Sequence, residues 1–108
     1  MAININQKGK RAVLHFTGTG SANLVGNSTT CDIAISDEEI GSCFIRKVWW
    51  GCSTGNWTVA RGGNTVLVLP SSGTLDLSTA PITGNATSNL VCTLSAGAGF
   101  IMVEVSKN

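Results

Sequence analysis

The sequence predicts an all-β chain: one domain over residues 1–108, folded as a β-sandwich or jelly roll of about eight short antiparallel strands. Apolar residues alternate with polar ones in short segments, which is the pattern of half-buried strands. Clusters of Gly, Ser, Thr and Asn separate those segments and supply turns. A chain of 108 residues can bury roughly two-thirds of its unfolded surface, enough for a core without staples.

Residues 1–11 are expected as an extended N-terminal arm. The first clear strand then runs from Ala12 to Phe16, with Ala12, Leu14 and Phe16 on one face and the turn-forming Gly18-Thr19-Gly20 behind it. Cys31, Ile33 and Ile35 share the next face. Ser36 to Gly41 reads as a single helical turn near 37–40, because Ser36 can cap it, Asp37, Glu38 and Glu39 suit its N-terminal end and Gly41 can stop it. From Ser42 to Trp50 the chain is strand-like again. Strict alternation points Phe44, Val48 and Trp50 one way and Ile45 and Trp49 the other, so both faces need cover.

Trp57 and Val59 share a face just before Arg61-Gly62-Gly63-Asn64, a sequence suited to a tight hairpin turn. Val66 to Leu69 is apolar on both faces and ends at Pro70. Leu75 and Leu77 flank Asp76, Leu90 to Leu94 forms a further strand, and the last one puts Ile101, Val103 and Val105 inside with Met102 and Glu104 outside. The expected core is Trp57, Val59, Val66, Val68, Leu75, Leu77, Ile101 and Val103.

Composition narrows the function classes. Charged residues make up 12% of the chain and the formal net charge is +1, so no strong field is available to gather phosphate, and nucleic acid is not an expected partner. No apolar run is long enough to suggest a membrane helix, and no secretory pattern follows Met1, so synthesis in a host cytoplasm is expected. Cys31, Cys43, Cys52 and Cys92 lack the close pairing of a zinc site and read as small buried thiols.

No catalytic, metal or cofactor-binding residue is expected. His15 is the only histidine, and a nucleophile would need such a base beside it. Asp37, Glu38 and Glu39 sit on one turn and cannot flank a sugar from opposite sides. Gly18-Thr19-Gly20 resembles the start of a dinucleotide fingerprint, but the third glycine is misplaced and no long helix follows, so it reads as a turn.

The tryptophans carry more information. Three Trp in a chain with no Tyr and three Phe concentrate the aromatic area in Trp49, Trp50 and Trp57. Neighbours on a strand face opposite ways, so one of Trp49 and Trp50 can fill the core while the other meets a second sheet, a sugar or another protein. Phe44, Arg46, Lys47, Trp49 and Trp50 form the candidate interface.

Val48-Trp49-Trp50-Gly51, followed by Gly55-Asn56-Trp57-Thr58-Val59-Ala60-Arg61-Gly62-Gly63-Asn64, resembles small virion proteins of tailed bacteriophages. A Trp-Thr-Val/Ile-x-Arg-Gly-x-Asn run recurs among them, and the Leu69 to Leu77 stretch and the Glu104-Val105-Ser106-Lys107 ending look similar too. The resemblance spans the central and C-terminal parts of the chain and is one of strands and turns. It implies a structural virion protein of the head decoration or cement kind, a homo-oligomer and specifically a trimer, bound to the major capsid protein or another virion protein. The alternative reading is a carbohydrate-binding or host-attachment module, on a head fibre or the tail.

Overall fold

One strand of 19 residues, Cys43–Arg61, organises the molecule, because its two halves pair with different stretches of the same neighbours. The computed structural model describes residues 11–27, 29–34, 38–77, 82 and 87–107, together with the backbone of residues 3–8. Among these the strands are β1 (Ile3–Lys8), β2 (Arg11–Phe16), β3 (Gly20–Ala22), β4 (Gly26–Asn27), β5 (Glu39–Ile40), β6 (Cys43–Arg61), β7 (Asn64–Asp76) and β8 (Leu90–Lys107). All pairings are antiparallel. The main sheet has the order β1-β2-β8-β6-β7 with β3 also on β8, and β4 pairs with β5 in a separate ribbon.

Strands β6, β7 and β8 turn a corner together. The register of β6 with β7 jumps between Gly51 and Asn56, and its register with β8 shifts between Cys52 and Trp57. Gly55 (φ 75°), Ser71 (φ 60°) and Gly97 (φ 77°) mark the bend on the three strands. A Cβ at Gly55 or Gly97 would run into backbone and hydroxyl atoms across the corner, so glycine is required there on two counts. The corner divides the sheet into a first half of β1, β2, Phe100–Lys107 of β8, Cys43–Gly51 of β6 and Ser72–Asp76 of β7. The second half is β3, Leu90–Leu94 of β8, Asn56–Arg61 of β6 and Asn64–Pro70 of β7.

The two halves close over one core as a small β-sandwich. Leu14, Phe16, Ile45, Val48, Ile101, Val103 and Val105 line it from the first half, and Trp57, Val59, Leu69, Leu90 and Cys92 from the second. Leu24, Cys31, Ile33 and Ile40 cover its flank from the β4–β5 region. Arg61 clips the ends of β6 to each other: its buried guanidinium donates to the carbonyl of Cys43 (2.7 Å) and to that of Ser88 (2.8 Å). The Trp57 indole N–H donates to the Gly51 carbonyl at the corner (3.1 Å). Lys107, also buried, donates to the Ile33 carbonyl and pairs with Glu38 at 2.9 Å, tying the end of β8 to the flank. No buried side-chain polar atom among the described residues lacks a hydrogen-bond partner.

The structure departs from the sequence expectations at four places. Strands β6, β7 and β8 are long, each joining two segments that the turn-rich sequence between them suggested were separate. The helical turn at 37–40 is replaced by β5 over Glu39–Ile40, with Ile40 buried and Glu38 held by Lys107; one isolated turn has too little of its own stability to compete with those contacts. Ile35, Ser36 and Asp37 lie outside the described residues. Residues 3–8 of the expected arm are paired along β2, from Ile3 opposite Phe16 to Lys8 opposite Arg11. Val68 is 60% exposed, because the register shift between Val59 and Ala60 changes the phase of β7 and turns Leu67 and Leu69 to the core side.

The other expected core residues are placed inside: Trp57, Val59, Ile101 and Val103 are fully buried, and Val66, Leu75 and Leu77 are half-buried against them. The Gly62-Gly63 hairpin forms, with Arg61 opposite Asn64 and Gly62 at φ 64°.

Candidate interaction surface

Alternation that sends Leu14, Phe16, Ile101, Val103 and Val48 inward leaves the intervening residues on the outer face of the first half. A bulge in β6 between Ile45 and Lys47 sets the phase. It lets Ile45 and Val48 both face the core, as strict alternation does not, and it carries Trp50 inward and Trp49 outward. Trp50 packs on the core with its ring over Gly73, where an added Cβ would sit 3.0 Å from it, and its N–H donates to the Pro70 carbonyl. Of the candidate interface residues, Trp50 therefore belongs to the inner side. Arg46, at the bulge, donates to Ser106 Oγ (3.0 Å).

Register defines two rows across the outer face. Val13, Glu104, Lys47 and Asp76 lie side by side on β2, β8, β6 and β7. The next row is His15, Met102, Trp49 and Thr74. Phe100 follows Met102 on the same side of β8; it is 41% exposed, its ring lies over Gly51, and the His15 ring meets it edge-on with centroids 6.3 Å apart. A side chain at Gly51 would lift the Phe100 ring from the sheet, since a Cβ there would come within 2.9 Å of it. Lys47 lays its ammonium over Trp49, 5.0 Å from the ring centre, and Arg11 reaches diagonally to Glu104 at 3.1 Å.

The result is an apolar, aromatic centre of Met102, Trp49 and Phe100 bordered by charged groups. Where proteins pack together, flat rings supply area and surrounding charges supply orientation, and this face offers both. Of the sequence candidates, Trp49 and Lys47 fall within it and Phe44 lies further along β6 beside Ser106. Sequence reading missed Phe100, Met102 and His15 as members of this surface. Continuing the alternation of β8 back by one step from Met102 would have found Phe100, but the pairing of β8 with both β2 and β6 is a long-range fact that local pattern does not contain.

Among the described residues no group of three or more His, Cys, Asp and Glu side chains is placed to hold a metal ion. The four cysteines are unpaired thiols. Burial pushes the Cys43 thiol up to about 12, against a smaller opposing pull from Arg61, and burial alone does the same at Cys92. Both stay protonated and inert at neutral pH. Cys52, at the corner, is half-buried, and its single S–H lies within reach of the carbonyls of Gly55 and Ser71. The chain matches no protein-family model, no curated protein and no solved structure.

Proposed function

We propose that the chain is a structural subunit that works by packing the aromatic outer face of β2, β8, β6 and β7 against another protein chain. The observation that carries this reading is the outward-facing cluster of exposed Phe100 with half-buried Trp49 and Met102, and its charged border. The resemblance of the Trp49 to Asn64 stretch to tailed-phage virion proteins supplies the setting: a capsid decoration or cement protein that stabilises a phage head. Partners in that setting are copies of the chain and the major capsid protein, and the location is the virion.

Binding of the purified chain to phage heads stripped of it, read by sedimentation and imaging, tests the proposal. Saturable attachment that Trp49→Lys abolishes is the expected result. Absence of attachment, with binding on a glycan array instead, would make the chain a host-attachment module that stacks a sugar on Trp49.

A further inference from the structure

The charged border has an order that selects one partner. Across the strands it reads Glu104 on β8, Lys47 on β6 and Asp76 on β7, and Arg11, two residues along β2 from Val13, reaches diagonally to Glu104, so the signs alternate plus, minus, plus, minus. A row with that order is its own complement when reversed. A two-fold axis lying in the face, parallel to the strands and midway between β8 and β6, places Glu104 opposite Lys47 of a second copy and Arg11 one diagonal step from Asp76 of that copy. The same operation brings Met102 against Trp49 of the second copy, apolar on apolar, and does so twice because the contact is isologous. An axis at right angles to the strands would set like charges against each other. Aligned sheets pack about 10 Å apart with strand directions within about 30°, which this arrangement allows.

We infer that the outer face of the first half is a two-fold interface between two copies of this chain, with Glu104 and Lys47 pairing reciprocally across it. The inference rests on the proposed packing role and names the partner of that same surface. Attachment to a head is then made by the pair, so a variant that cannot pair through this face, such as Trp49→Lys, also loses attachment.

Charge exchange tests the register. Alone, Lys47→Glu opposes Glu104 with glutamate at both ends of the contact, and Glu104→Lys opposes Lys47 with lysine. Each variant should self-associate at least about tenfold more weakly than the wild type in sedimentation equilibrium. An equimolar mixture of the two should regain association as a heterodimer, since every facing pair is again opposite in sign. Loss of the Arg11–Glu104 pair within one chain cannot produce that rescue, so a purely structural role for Glu104 is separated from pairing. A wild type that sediments as a monomer throughout, or as a trimer, overturns the two-fold pairing, as does a mixture no tighter than its components. A monomer that still attaches to heads through Trp49 would remove the self-pairing and leave the packing role standing. A monomer that attaches to nothing would remove both.

Discussion

Before the corner, β6 sends Val48 and Trp50 inward and Lys47 and Trp49 outward; beyond it, the same strand sends Trp57, Val59 and Arg61 inward and Thr58 and Ala60 outward. The inner faces serve one purpose, covering a shared core. The outer faces diverge. In the second half, Thr58 lies between Thr93 and Val68, and Ala60 between Val91 and Thr65, all small or β-branched and none charged. Such residues favour strands and need no partner to justify them. In the first half the outer face carries Trp49, Met102, Phe100 and His15, which add nothing to the core they face away from. Large side chains without a folding role are what the proposed packing role would use.

The core that both halves share carries the largest effects. Trp57→Ala removes the largest fully buried side chain and its bond to Gly51 at the corner, and should cost about 3–5 kcal/mol in equilibrium denaturation. Arg61→Met leaves the carbonyls of Cys43 and Ser88 without their guanidinium donor and should cost about 3 kcal/mol, whereas Arg11→Met, at the exposed ion pair, should stay within about 1 kcal/mol.

The thiols extend the test to pH, with one buried cysteine in each half of the sheet. Cys43 and Cys92 have folded values of about 12 against an ordinary value of 9.0, so the folded state holds its protons more tightly than the unfolded chain does. Their effect on stability is flat below pH 9, and stability falls as the pH rises from there towards 12. Cys92→Ala should reduce that alkaline loss in urea titrations across the range, and an unchanged slope would place Cys92 outside the core.

The smallest effect sharpens the contrast within one strand. Leu69→Ala, on the buried side of β7, should lose about 2–4 kcal/mol, while Val68→Thr should change stability by no more than about 0.5 kcal/mol. Thermal melts of the two variants side by side would read the difference directly.

Much of this fold is legible in local pattern. Period-two alternation marks Leu14 and Phe16, Trp57 and Val59, and Ile101 and Val103 as inward pairs, and Gly62-Gly63 marks its hairpin. What local pattern misses comes from bulges. An extra residue at Arg46 puts Ile45 and Val48 on one face, and another near Val66 sends Val68 outward, because a shift of one residue exchanges the faces of everything beyond it. Arg61 and Lys107 were missed for a different reason. A buried cation is tolerated only where carbonyls or a carboxylate meet it, and those of Cys43, Ser88, Ile33 and Glu38 come from distant parts of the chain. Of the surface, Trp49 and Lys47 were visible in one segment, while Phe100, Met102 and His15 join them only once β2 and β8 are paired.

Hydroxyl-radical footprinting reads burial of the outer face of the first half, because Trp, Met, Phe and His are among the side chains it oxidises most readily. The dilute, dissociated chain would be compared with the same chain in its assembled state, self-paired or on heads. The outer face of the first half should become protected on assembly, with oxidation of Trp49, Met102 and Phe100 falling together while Val68 and Thr93 keep the reactivity they have in the dissociated chain. Unchanged oxidation at Trp49, Met102 and Phe100, with protection at Val68 and Thr93 instead, would move the working surface to the second half of the sheet.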